Sequence, residues 1–209
     1  MENFLTEQQQ LEQLSHWWKK NGRFTLGVIA LVILINIVWQ LWDFQRERTL
    51  GHASDRFEWL LEGVMTKDDK VVQTQANYIL EHYPRTPYYL IAALMQAKQA
   101  VDDHDFVTAE EKLLNVMSRA SNKALKQVAR LRVARVMIAE NKASQALELL
   151  KKVDDNNYLP AIQSLRGDIY LAMGQSRQAR QAYQEAIQLL GDQDSFQSFL
   201  QMKLDDAAS

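Results

Sequence analysis

The chain has 209 residues, a formal net charge of −2, charged residues at 24% and no cysteine. A near-neutral chain without a basic-aromatic motif argues against a nucleic-acid partner. The missing cysteines remove disulfides, zinc-thiolate sites, thiol catalysis and a lipoprotein anchor, and suit either the cytoplasm or a periplasm.

Behind a polar tail (1–23), residues 24–42 read FTLGVIALVILINIVWQLW, without a charge or a proline. As a helix this run measures roughly 28 Å at about 1.5 Å per residue, close to the roughly 30 Å of hydrocarbon in a bilayer. Trp17, Trp18, Lys19, Lys20 and Arg23 precede it, and Trp39, Trp42, Phe44, Arg46 and Arg48 lie at its far end. Indoles and cations at both ends anchor a helix at headgroup level. A cleaved signal would end in small residues, whereas this run ends Trp39-Gln40-Leu41-Trp42, so the expectation is an uncleaved transmembrane helix. Basic residues near its two ends tie, Lys19, Lys20 and Arg23 against Arg46, Arg48 and Arg56, and charge leaves the orientation open. Thr25, Asn36 and Gln40 fall on one line of the helix. Such a polar face predicts a protein partner; the alternative is that Asn36 meets lipid and Gln40 snorkels to the interface.

The remaining domain, residues 43–209, is long enough for one core. Helical spacing prevails and period-two runs are missing, so the domain is predicted all-α. The clearest pattern lies near its end. Gly167, Tyr170, Gly174, Ala179, Tyr183 and Ala186 reproduce the spacing of a tetratricopeptide hairpin. Ala134, Met137, Asn141, Ala146, Leu150 and Val153 hold the same slots one repeat earlier, and Ala97, Ala100, His104, Ala109, Leu113 and Val116 hold them one before that. A poorer first pair closes with the YPRTP turn at Pro84. The predicted hairpins span about 49–83, 88–120, 122–153 and 158–190, and a capping helix at about 194–204 offers Phe196, Phe199, Leu200 and Met202 as one apolar face. The expected fold is a transmembrane helix followed by a tetratricopeptide-like solenoid with a C-terminal cap.

No metalloprotease, phosphate-loop or nucleophile-elbow motif occurs. Asp102, Asp103, His104 and Asp105 offer metal-type ligands, but their place between two helices reads better as a turn with Asp105 as a helix cap. Catalytic residues, cofactors and metals are therefore not expected. Lys126, Arg130, Arg132 and Arg135 concentrate on one helix, as either a binding face or a solvated one.

The order of these parts resembles the YfgM-like ancillary SecYEG translocon subunit family of Gram-negative bacteria. The anchor at 24–42, LKQVARLRVARVMIAENKASQALELL at 125–150 and LRGDIYLAMGQSRQARQAYQEAI at 165–187 carry the resemblance. It implies a single-pass inner-membrane protein with a cytoplasmic N-terminus and a periplasmic repeat domain. It also implies association with the SecYEG translocon and the periplasmic chaperone PpiD, in aid of unfolded secretory clients. The competing job for the same architecture is a membrane-tethered scaffold for another envelope assembly complex. In tetratricopeptide hairpins, slots 2, 5, 9 and 12 of the first helix line a groove, which here predicts a partner groove centred on Leu94, Lys98, Leu131 and Arg135 and extending to Asp168. The alternative is that the chain's own first pair or cap covers these residues.

Overall fold

The computed structural model describes residues 7–190 and 196–207. Among them are nine α-helices and no strand. Residues up to His52 and residues from Ala53 onward form two separate compact units.

The first unit is helical throughout its described part, as the beginning of α1 (Glu7–Thr66). Every large apolar side chain between Phe24 and Trp42 stands exposed, Phe24 at 77% and Trp39 at 69%. Water would oppose so much uncovered apolar surface, whereas a bilayer accepts it while the helix satisfies its own backbone hydrogen bonds. This stretch is long and apolar enough to cross a membrane.

The second unit begins with the last turns of α1, residues 53–66, which pair with α2 (Asp69–His82). Three further hairpins follow: α3 (Pro87–Asp102) with α4 (Phe106–Arg119), α5 (Lys123–Ala139) with α6 (Ala143–Leu149), and α7 (Leu159–Ala172) with α8 (Ser176–Leu190). The last described helix is α9 (Phe196–Asp206). Local chemistry sets the starts. Asp68, Asp105 and Asn122 accept backbone N–H groups of the first turns of α2, α4 and α5. Pro87 and Pro160 occupy first-turn positions of α3 and α7, where a missing N–H costs nothing.

The turns inside the hairpins share one geometry. Lys67, His104, Asn141 and Gly174 all adopt positive φ, between 56° and 71°. Each donates its N–H to the carbonyl three residues back, at Val64, Val101, Ile138 and Leu171. The following residue donates five back, to Gly63, Ala100, Met137 and Tyr170, which completes a Schellman motif four times. The left-handed residues are 37, 37 and 33 positions apart. They place the first hairpin in register with the others: Leu60 falls in the slot of Ala97, Ala134 and Gly167, and all four are buried.

Small residues then let the helices approach. A methyl group added at Gly167 would lie 2.3 Å from the Tyr183 ring, and Tyr183 is 1% exposed. Ala109, Ala146 and Ala179, the alanines of the second helices, are wholly buried. In the first hairpin Val72 takes that slot and the small residue moves to Gly63, where an added Cβ would meet Val71 at 3.0 Å. The main core runs from Ala97 through Leu113, Leu131, Val133 and Leu150 to Ile169.

Two expectations about packing are corrected. Val153, assigned to a core slot, is 38% exposed, because α6 ends at Leu149. Beyond it the chain turns back, and the Asp154 carboxylate accepts from Arg130 Nη2 at 2.7 Å and Nε at 3.1 Å. Arg130 Nη1 also reaches the Leu149 carbonyl, and the Asp154 N–H donates to Gln127 Oε1 at 2.8 Å. Arg130 is 4% exposed and Gln127 is fully buried, so Arg130 leaves the predicted basic face and closes a helix end instead. The second correction concerns α9. Leu200 and Ala207 are buried, with Leu204 packed against Ala179 and Tyr183, while Phe196, Phe199 and Met202 stand outward. The docked stripe is Leu200, Lys203, Leu204 and Ala207, a helical i, i+3, i+4, i+7 face whose lysine hides it from a purely apolar pattern.

Candidate functional site

Two surfaces carry the sequence-predicted residues, one in each unit. On the anchor, Thr25 Oγ1 donates to the Asn21 carbonyl one turn back at 3.1 Å, so its hydroxyl is satisfied within its own helix. Asn36 and Gln40 are exposed and make no side-chain hydrogen bond among the described residues. Among the described residues their amides are unmet polar groups of an otherwise apolar span.

In the repeat unit, Leu94 and Lys98 of α3 and Arg135 of α5 line one cleft of about 300 Å³. Val101, Phe106, Leu113 and Val136 complete its floor, and Arg132 joins Arg135 at the rim. Lys98 is engaged by Asp102 one turn on, a contact that holds its ammonium above the usual lysine range. Arg132 and Arg135 are exposed and have no ion pair or side-chain hydrogen bond among the described residues. They are three apart on α5 and therefore side by side on its surface.

The other two predicted groove residues lie elsewhere. Leu131 is 5% exposed and belongs to the core, since its side chain packs between the hairpins rather than into the cleft. Asp168 accepts from Tyr183 Oη at 2.6 Å and from Lys203 Nζ at 2.7 and 2.8 Å, so the C-terminal helix occupies it. Burial first, and then this carboxylate, push the Tyr183 phenol far above its ordinary range. Arg132, Phe106 and Val136 lie outside the four expected groove slots. They enter because α4 and α5 wall the cleft as well as α3.

At the turn singled out for metal-type ligands, Asp105 caps α4 by accepting from the Thr108 N–H at 3.1 Å, and the exposed His104 is the left-handed residue. Nearby, Lys142 bridges Glu110 at 2.8 Å and Glu140 at 3.0 Å. The lysine, and then Glu140, hold the Glu110 carboxyl below its usual value.

The architecture has relatives. A tetratricopeptide repeat-like domain model matches residues 15–209. The chain is 31% identical over 202 residues to the ancillary SecYEG translocon subunit of Aggregatibacter actinomycetemcomitans, covering 96% of this chain and 97% of that one. The chain belongs to the YfgM-like family of ancillary SecYEG translocon subunits. Other subunits of the family are 26% identical over 184 residues in Haemophilus influenzae, at 88% and 90% coverage, and 24% over 187 residues in Escherichia coli, at 90% of both chains. No solved structure matches. The domain model and the match to the Aggregatibacter subunit span both the apolar helix and the repeats.

Proposed function

We propose that this protein is a non-catalytic, single-pass inner-membrane subunit that associates with the SecYEG translocon through its anchor. Its repeat domain lies in the periplasm and receives PpiD and secreted chains as they emerge. The observation that carries this reading is the pair of amides, Asn36 and Gln40, unpartnered among the described residues in a span whose other side chains suit lipid. An amide in hydrocarbon gains about 0.6 kcal/mol, and up to roughly 2, from a hydrogen bond to a neighbouring helix. The names of the relatives supply the neighbour: each is described as ancillary to SecYEG. A rim of cations above an apolar floor suits contact with other chains better than chemistry, which needs converging acid and base groups.

The test uses photocrosslinkers placed one at a time at Asn36 and at Leu34, which faces nearly the opposite way. Strong labelling of a translocon subunit from position 36 and weak labelling from 34 is expected. Equal labelling from both, or labelling of a different envelope complex, overturns the reading. Protease added to spheroplasts should digest the repeat domain; survival until the inner membrane is opened would reverse the orientation.

A further inference from the structure

One position of the cleft floor, that of Val101, recurs in every hairpin. Val64, Val101, Ile138 and Leu171 occupy the same position of the four hairpins, each three residues before the left-handed turn residue. Val64, Val101 and Leu171 are exposed and Ile138 is half-buried. Aliphatic side chains left partly uncovered at one slot of every repeat are a row, and a row fits an extended chain better than a compact small molecule. Beside Val101, at the cleft, stand Arg132 and Arg135, neither answered by a carboxylate among the described residues. Two adjacent like charges repel each other on their helix, and an arriving anion relieves that repulsion.

We propose that the cleft between α3, α4 and α5 binds an extended acidic–apolar peptide segment, with one bulky apolar side chain on the floor formed by Leu94, Val101 and Phe106 and a neighbouring carboxylate held by Arg132 and Arg135. The inference rests on the reading that the repeat domain receives other polypeptides, and it specifies their chemistry. Lys98 contributes less, because Asp102 already holds it. The floor supplies affinity without choosing among apolar residues, and the two guanidinium groups supply the choice of charge.

The test uses the full-length protein in detergent micelles and a fluorescein-labelled extended peptide that alternates leucine with glutamate. A second peptide has glutamine at every glutamate, and a third has lysine. Fluorescence anisotropy at low ionic strength should rank glutamate above glutamine by about tenfold and above lysine by more, and added salt should narrow the gap. The double variant R132E/R135E changes two exposed side chains and should bind the lysine peptide best. Val101→Ser should weaken all three peptides alike. Equal affinity for the glutamate and glutamine peptides, no binding of any peptide, or an unchanged preference in the double variant overturns the proposal. Crosslinking from Asn36 is read in parallel in native membranes holding the same variants: translocon labelling that persists without a charge preference rejects this inference alone, and absent labelling with the preference intact rejects the translocon reading alone.

Discussion

Gly167→Ala tests the tightest crossing in the repeat domain. The new methyl carbon would lie 2.3, 2.6 and 2.7 Å from three carbons of the Tyr183 ring, where ordinary contact begins at 3.4 Å. One of the two helices must move by about 1 Å. The ring cannot swing away freely, because it is 1% exposed and its hydroxyl donates to Asp168, which Lys203 also holds. Overpacking costs about 1–3 kcal/mol. Loss of a hydrogen bond to a charged acceptor adds about 1.5–3 if the ring is displaced far enough to break it. Against this, alanine gains about 1 kcal/mol of helix propensity over glycine. With the bond broken the expected net loss is about 1.5–5 kcal/mol, or roughly 3–20 °C in Tm for a domain of this size. Thermal and urea melts followed by circular dichroism measure it. Gly51→Ala is the matched control, since nothing lies within 4 Å of an added Cβ there. In a Tyr183→Leu background the same methyl at position 167 should cost much less, because the clashing ring is gone. A Gly167→Ala protein that melts with the wild type, or an undiminished cost in the leucine background, refutes the packing argument.

Arg130→Met should cost about 3–5 kcal/mol by leaving the Asp154 carboxylate buried without its partner, whereas Arg132→Met should lie within about 0.5; equal urea midpoints for the two would contradict the assignment of Arg130 to the interior. Gly174→Ala should destabilise by about 1–2 kcal/mol, and Lys67→Gly and His104→Gly should each stabilise by about 1 or less, with Asn141→Gly smaller still because asparagine tolerates positive φ; urea melts of the four variants check the order. Tyr183 stays protonated in the folded chain while its unfolded counterpart ionises near pH 10, so its contribution is complete below about pH 10 and is lost as pH rises beyond it. Tyr183→Phe should flatten that alkaline slope in melts recorded between neutral and high pH. Glu110 behaves oppositely: its depressed pKa gives stability that is present above roughly pH 4.3 and lost as pH falls, a slope that Lys142→Met should reduce.

Steric motifs were legible in the sequence and non-local partners were not. Gly167, Ala179 and Tyr183 could be read because their spacing encodes a close approach within one hairpin, and that approach is present. The apolar run at 24–42 could be read because composition alone decides whether a helix tolerates lipid. Arg130 could not be separated from Arg132 and Arg135, since nothing in α5 announces that Asp154 returns to meet it from 24 residues away. The face of α9 that docks was hidden for the same reason: Lys203 is acceptable in that interface because Asp168, 35 residues earlier, is waiting for it. Leu131 falls in a groove slot by counting and in the core by packing, while Arg132 and Phe106 needed the third wall of the cleft before they could be placed.

The residues that line the exposed aliphatic row are the same residues whose carbonyls close the four turns: Val64, Val101, Ile138 and Leu171 each accept the N–H of the left-handed residue that follows. The row is therefore fastened to the backbone joints and is indifferent to how much chain lies between one joint and the next. Repeat length can drift, as it does between 37 and 33 here, and α6 can lose half the span of α4, with the slack taken up on the side where one hairpin hands over to the next. Connecting loops can thus change in length while the row stays tied to the turns.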